Sequence, residues 1–140
     1  MSLPQEKLYY SPEHYLEYER ETQERYEYLD GHIYKMAGES LNHSRICVNL
    51  AREVSGKLRG RPCEALSPNM KVRTQQAGLF SYPDLSVVCG EPVFHDKYKD
   101  VLLNPQVIFW FHPPAQAAHR AAASGKTDGR GNAPARRPRL

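Results

Sequence analysis

Cysteine is scarce in this chain of 140 residues. Its three cysteines, Cys47, Cys63 and Cys89, are odd in number, and none of them has the C-x-x-C spacing of a zinc or redox motif. The sequence therefore predicts neither a disulfide framework nor a zinc site. Because proteins without disulfides are typical of reducing compartments, we expect a cytoplasmic protein.

Long apolar runs are absent as well. No segment approaches the roughly 20 apolar residues that a membrane span needs. The opening stretch, MSLPQEKLYYSPEHYLEYER, carries charges throughout and lacks the apolar core of a secretory signal. We therefore expect a soluble protein that is not exported.

The net charge of +3 is unevenly distributed along the chain. Residues 112–140 contain six basic residues and one acidic residue, whereas the rest of the chain contains 13 basic and 15 acidic residues. The segment 112–140 has no aromatic residue and is dominated by alanine, arginine, proline and glycine, so it cannot bury enough apolar surface to fold. We predict one folded domain over residues 1–111, without a global charge signature of nucleic-acid binding, and a disordered basic tail over residues 112–140.

The segment from Ser11 to about Glu24 predicts a helix, because a serine cap is followed by proline at the first helical position and by an acid. In "YEYLDGHIYKMAG", the pair Asp30-Gly31 tolerates the positive φ of a tight turn and predicts a hairpin with strands near 25–29 and 32–37. Seven of the nine tyrosines lie in the first 34 residues. We favour their packing between helix and hairpin over stacking on nucleobases.

A second helix is predicted by apolar residues at every fourth position, namely Ile46, Leu50, Val54 and Leu58. Asn42 is available as its N-cap and Gly60 as its stop. Short runs typical of strands follow in "CEALS", in "MKVRT", at 85–88 and after Asn104-Pro105.

Asp84, which follows Pro83 and precedes an apolar run, is the strongest candidate for chemistry. A carboxylate on a strand, beside a second carboxylate on the neighbouring strand, can hold a hard cation such as Mg²⁺. The ion then activates water and neutralises charge on a phosphate. The alternative is that an aspartate after a proline only caps a turn.

Glu27 and His43 are further candidates, each with a structural alternative. Glu27 is either a catalytic acid or a solvated strand residue. His43, in the first turn of the second helix, is either a base or phosphate contact or an exposed histidine at a helix start. Lys71 and Arg73 alternate along one strand, where we expect a solvated face rather than a phosphate site.

Six segments in order resemble the Uma-two family of restriction endonucleases, in the PD-(D/E)XK nuclease superfamily: "YYSPEHYLEYE", "YEYLDGHIYKMAG", "NHSRICVNL", "PCEALSPNMKVR", "YPDLSVVCG" and "LLNPQVIF". The resemblance runs from about Tyr9 to Phe109. It implies an α/β fold (α+β, with a mixed sheet around a restriction-endonuclease-like core) that acts on DNA with Mg²⁺. It also implies that Asp84 binds the metal and that Glu27 and His43 are the family's recurrent acid and histidine.

The family pattern breaks after Phe109. A second metal-binding Glu belongs at position 110, followed by an S-P-S-T-like stretch and a Lys, but this chain has Trp110 and no matching Lys. The family's following helix and strand have no counterpart either. We hypothesise a truncation or a reading-frame shift near this point, because GC-rich DNA translated out of frame yields the alanine, arginine, proline and glycine mixture of the tail.

The resemblance thus implies an Mg²⁺-dependent DNA endonuclease whose domain, residues 1–111, is incomplete at its C-terminus, and we predict that this chain is inactive. Two alternatives remain open. One is a non-catalytic DNA-binding remnant whose basic tail contacts phosphates. The other is a product without function, which aggregates through its exposed sheet edge and apolar face unless a homodimer covers them.

Overall fold

The computed structural model describes residues 9–74 and 78–111, so the predicted tail at 112–140 lies outside the described residues. These described residues form two helices, α1 (Pro12–Thr22) and α2 (Leu41–Lys57). The strands are β1 (Tyr26–Leu29), β2 (His32–Lys35), β3 (Cys63–Leu66), β4 (Lys71–Thr74), β5 (Leu79–Ser81), β6 (Leu85–Cys89), β7 (Val101–Leu102) and β8 (Val107–Phe109). Neither helix has the length and apolar character that crossing a bilayer requires.

Serine side chains start both helices. Ser11 Oγ accepts a hydrogen bond from the backbone N–H of His14 at 3.2 Å, as the sequence predicts. The cap of α2 is Ser40, whose Oγ accepts from the backbone N–H of His43 at 3.2 Å, so the prediction of Asn42 as cap was wrong. Serine caps as well as asparagine does, and here it lies two residues earlier, which places His43 at the third helical position.

The strands form two sheets. The larger has the order β2-β1-β5-β4-β7 and the smaller has the order β3-β6-β8. Strands β4 and β7 are parallel, whereas the other strand pairings in the described residues are antiparallel. The larger sheet is therefore mixed, and the predicted α/β fold class with a mixed sheet is confirmed.

Aromatic packing fixes α1 on the larger sheet. The ring of Tyr15 stacks on Tyr28 of β1 with centroids 5.0 Å apart and meets the edge of Phe80 of β5 at 5.4 Å. The tyrosines of the helix and hairpin thus pack against each other, as we favoured. A second buried cluster joins Val72 of β4 to Val88 of β6, and so connects the two sheets through one apolar core.

Lys71 departs most clearly from its predicted place on a solvated face. Its side chain is buried, with 1% of the residue exposed, and its ammonium pairs with the carboxylate of Glu19 from α1. That carboxylate also accepts from the Tyr82 hydroxyl at 2.7 Å, the Tyr15 hydroxyl at 3.3 Å and the Tyr26 backbone N–H at 2.9 Å. A buried charge needs this degree of pairing and hydrogen bonding, and α1 supplies it across the sheet.

Burial and the neighbouring Glu19 charge raise the pKa values of the Tyr15 and Tyr82 hydroxyls far above the usual value for tyrosine. Both hydroxyls therefore stay protonated at any physiological pH. The Tyr82 hydroxyl remains a hydrogen-bond donor to the carboxylate, whereas the one proton of the Tyr15 hydroxyl is shared between the Tyr26 carbonyl at 2.6 Å and the Glu19 carboxylate at 3.3 Å.

A disulfide joins Cys63 and Cys89, so the prediction of a chain without disulfides was wrong. The two residues are 26 apart in the sequence but lie directly opposite each other in the antiparallel register of β3 and β6. An odd count of cysteines does not exclude one pair and one free thiol. Cys47 is that free thiol, and it is buried.

Removing the ammonium of Lys71 tests the buried ion pair. We expect Lys71→Met to lower the free energy of unfolding by about 3–5 kcal/mol, because it leaves the Glu19 carboxylate buried without its cation. Lys35→Met, which breaks an exposed ion pair with Glu24, should change the free energy of unfolding far less, because solvent screens exposed charges. Urea denaturation measures both, and equal losses in the two variants would contradict the assignment.

Candidate functional site

Asp84 lies at the entrance to β6, beside the end of β8. Leu85 pairs with Phe109 in the register of β6 and β8, and the backbone N–H of Asp84 donates to the carbonyl of Phe109 at 2.9 Å. Asp84 and Trp110 are the residues next to this last pair, and both line the same cavity. A side chain at position 110 therefore lies on the same cavity wall as this aspartate.

The carboxylate of Asp84 has a partner on each oxygen. His43 Nε2 lies 2.7 Å from Oδ1, and the backbone N–H of Phe111 donates to Oδ2 at 2.7 Å. The thiol of Cys47, one helical turn beyond His43, points at Oδ1 with a separation of 3.8 Å. Only 14% of the Asp84 side chain is exposed, so helix α2 and the chain after β8 together hold this carboxylate in place.

The three site residues predicted from the sequence, Glu27, His43 and Asp84, line one cavity of about 760 Å³. Glu27 belongs to β1 and is buried, with 4% of the residue exposed, so the solvated alternative is wrong for it. His43 and Asp84 are in direct contact, which also removes the reading of His43 as a solvated histidine. The topology thus brings together side chains that are 57 positions apart in the sequence.

Cationic side chains line the same cavity. Arg25, just before β1, and Lys35, at the end of β2, are both exposed and belong to its wall. Arg25 donates to the Asn69 side chain at 3.2 Å, and Lys35 pairs with Glu24 at 2.7 Å. An anionic group that entered the cavity would meet these two charges.

Sequence reasoning missed Cys47 and Glu39 as part of this site. Glu39, His43 and Cys47 lie four residues apart, and their ligand atoms all lie within 4.8 Å of one another. Burial, together with the carboxylates of Asp84 and Glu39, raises the pKa of the Cys47 thiol. The spacing of 43 and 47 is the signal that could have found Cys47, since it places two side chains on one face of α2, and Glu39 directly precedes the cap of that helix.

The residues present do not fit Mg²⁺ between β6 and β8. This ion prefers carboxylate oxygens in octahedral geometry. Asp84 offers one carboxylate there, and the side chain of Trp110, on the same cavity wall, offers no acceptor. The indole N–H of Trp110 is buried without a hydrogen-bond partner among the residues that the structure describes.

Comparison with known protein families assigns this chain to one of them. A family model named Uma2, described as "Putative restriction endonuclease", matches residues 12–110. The chain belongs to the Uma2 family. That assignment confirms the family resemblance seen in the sequence, and the divalent-metal chemistry of such nucleases applies to Uma2 as a family.

Two curated relatives come from Synechocystis sp. The protein slr1290 is 41% identical over 88 residues, which is 63% of this chain and 45% of that protein. The protein sll1609 is 32% identical over 94 residues, which is 67% of this chain and 53% of that protein. The Uma2 chain described here therefore spans about half the length of the curated relatives that it matches.

A solved structure shares the fold. It is titled as a "putative nuclease belonging to DUF820" from Anabaena variabilis and aligns with a TM-score of 0.54 at 16% identity. The alignment covers 73% of this chain and 58% of that one. The likeness supports a nuclease-like arrangement of the sheets and helices in this member of Uma2.

Proposed function

We propose that this chain has the fold and part of the active site of an Mg²⁺-dependent DNA endonuclease, and that as it stands it does not cleave DNA. One observation carries the proposal: beside the last pair of the β6–β8 ladder, Trp110 shares the cavity wall with Asp84, where a metal site built on two strands needs a second carboxylate. DNA as substrate and Mg²⁺ as cofactor come from the family.

The remaining side chains keep their family roles in this proposal. Asp84 is the surviving metal carboxylate, Glu27 the upstream acid, and His43 the base or phosphate contact. Phosphodiester hydrolysis depends on neutralising charge on the phosphate, and each 1.36 kcal/mol of lost barrier reduction slows a reaction about tenfold. A site with one engaged carboxylate and no second metal ligand therefore falls short by several factors of ten.

Trp110→Glu is the direct test, because it places a carboxylate beside Asp84. We expect MgCl₂ to raise the melting temperature of this variant and not that of the wild type. The stabilisation should reach about 2.7 kcal/mol when Mg²⁺ is at 100 times its Kd. Trp110→Gln is the matched control, because glutamine has nearly the shape of glutamate without its charge. The melting temperature of this variant should not respond to MgCl₂.

Plasmid cleavage supplies the second measurement for the same proposal. Purified wild-type protein should leave DNA intact in MgCl₂. The proposal that this chain is inactive would be refuted if the wild type cleaved DNA with Mg²⁺ and Asp84→Ala did not. The activity would then depend on the site that we describe as incomplete.

DNA binding without cleavage is the second candidate, favoured by the composition of residues 112–140. This segment has six basic residues against one acidic residue. Lysine and arginine contacts with phosphates release counterions and make affinity fall steeply with salt, without sequence preference. We include in the proposal that residues 1–111 form the domain and that residues 112–140 form a separate DNA-contacting tail.

Salt dependence of duplex binding tests the tail. Each lost phosphate contact should reduce the slope of log K against log salt by about 0.9. The tail variant replaces three arginines with glutamine: Arg136, Arg137 and Arg139. The control replaces three basic residues of α2 with glutamine: Arg45, Arg52 and Lys57. A slope that changes in the control and not in the tail variant would exclude this reading.

We include a homodimer in the proposal, because apolar side chains of α2 are exposed. Leu41, Ile46 and Val48 are exposed on this helix. A second copy of the chain would cover them. Sedimentation velocity at micromolar concentration should show a dimer that Ile46→Lys dissociates and Glu53→Lys, on the same helix, does not. A monomeric wild type would contradict the dimer.

A further inference from the structure

Four metal-binding side chains converge on the cavity wall at the start of α2. Glu39, His43 and Cys47 contribute donor atoms that lie within 4.8 Å of one another. Asp84 approaches the same group from β6, with Oδ1 at 2.7 Å from His43 Nε2 and 3.8 Å from Cys47 Sγ. The four side chains offer one nitrogen, one sulfur and two carboxylate groups.

We propose that these four side chains bind a divalent transition-metal ion of the zinc class. A thiolate and an imidazole select zinc and its neighbours over Mg²⁺, which takes oxygen ligands. Zinc accepts cysteine, histidine and carboxylate together in a four-coordinate site. This inference concerns metal binding alone and does not depend on DNA hydrolysis.

The ligand atoms would have to move closer to one another to close around the ion. Bonds of about 2.0–2.3 Å in a tetrahedral zinc site place ligand atoms somewhat under 4 Å apart. His43 Nε2 and Asp84 Oδ1 would separate slightly, and the Glu39 carboxylate would move inward. Glu39 is exposed whereas Cys47 is nearly buried, so an ion reaches the inner ligands through the open side of the cavity.

A bound ion would also affect the structure, because its ligands come from different parts of the fold. Helix α2 packs lightly, since Cys47 is its one buried residue in the described chain. A metal held by His43 and Cys47 of α2, by Glu39 just before that helix and by Asp84 beside β6 would join α2 to the smaller sheet. It would also occupy the Asp84 carboxylate, which the family's Mg²⁺ site needs.

Cobalt titration tests the proposal, because a cysteine thiolate bound to Co²⁺ gives a charge-transfer absorption band. The untagged full chain is used with its disulfide intact, after thiol counting in denaturant confirms one free thiol per chain. We expect a band that saturates at one Co²⁺ per chain, that Zn²⁺ abolishes and that excess Mg²⁺ leaves unchanged. Zn²⁺ should also protect Cys47 from a thiol reagent.

Variants identify the ligands. Cys47→Ser should remove the band, and His43→Ala should weaken Co²⁺ binding at least tenfold, with folding of each variant checked by circular dichroism. His14→Ala and Glu53→Gln, both exposed and remote from the cluster, are the matched controls and should bind as the wild type does. A wild type without the band, or a band that persists in Cys47→Ser, overturns the proposal.

The outcome of the cobalt experiment can be distinguished from the outcome of the nuclease proposal. Cobalt binding is read by absorption and requires no cleavage, so a chain that binds cobalt and never cuts DNA supports this inference. If Trp110→Glu gains Mg²⁺ binding while the wild type shows no cobalt band, the metal inference alone fails.

Discussion

The buried carboxylate of Glu19 is the interaction on which the arrangement of the domain depends. It belongs to α1, pairs with Lys71 of β4, and accepts from the backbone of Tyr26 at the start of β1. It also accepts from the hydroxyl of Tyr82, two residues before Asp84. One charged group therefore holds the helix, two strands of the larger sheet and the segment that leads into the candidate site.

The candidate site is built where this supported segment meets the smaller sheet. Asp84 lies after Tyr82, enters β6, and receives His43 from α2 on one side and the backbone of Phe111 on the other. These contacts set the carboxylate in a fixed direction. In the proposed function the side chain at position 110 decides the chemistry, whereas backbone groups make the β6–β8 ladder that ends beside it.

Local patterns in the sequence predicted most of the elements, since caps, turns and apolar periodicity are properties of neighbouring residues. Family resemblance brought Glu27, His43 and Asp84 together, and the structure places all three on one cavity. Contacts between residues that are far apart in the sequence could not be predicted in this way. The buried partner of Lys71 depends on how α1 crosses the larger sheet, and the Cys63–Cys89 disulfide depends on the register of β3 and β6.

The central claim of the proposed function is that Asp84, with Trp110 on the same cavity wall, does not form a site for a hard cation. Long-wavelength diffraction from crystals grown with calcium tests it directly, because calcium, like Mg²⁺, prefers oxygen ligands and is located by its anomalous scattering. The account predicts no calcium ion within about 2.3–2.6 Å of the Asp84 carboxylate, which stays bonded to His43 and Phe111. A calcium ion held by Asp84 together with Glu27 would contradict it.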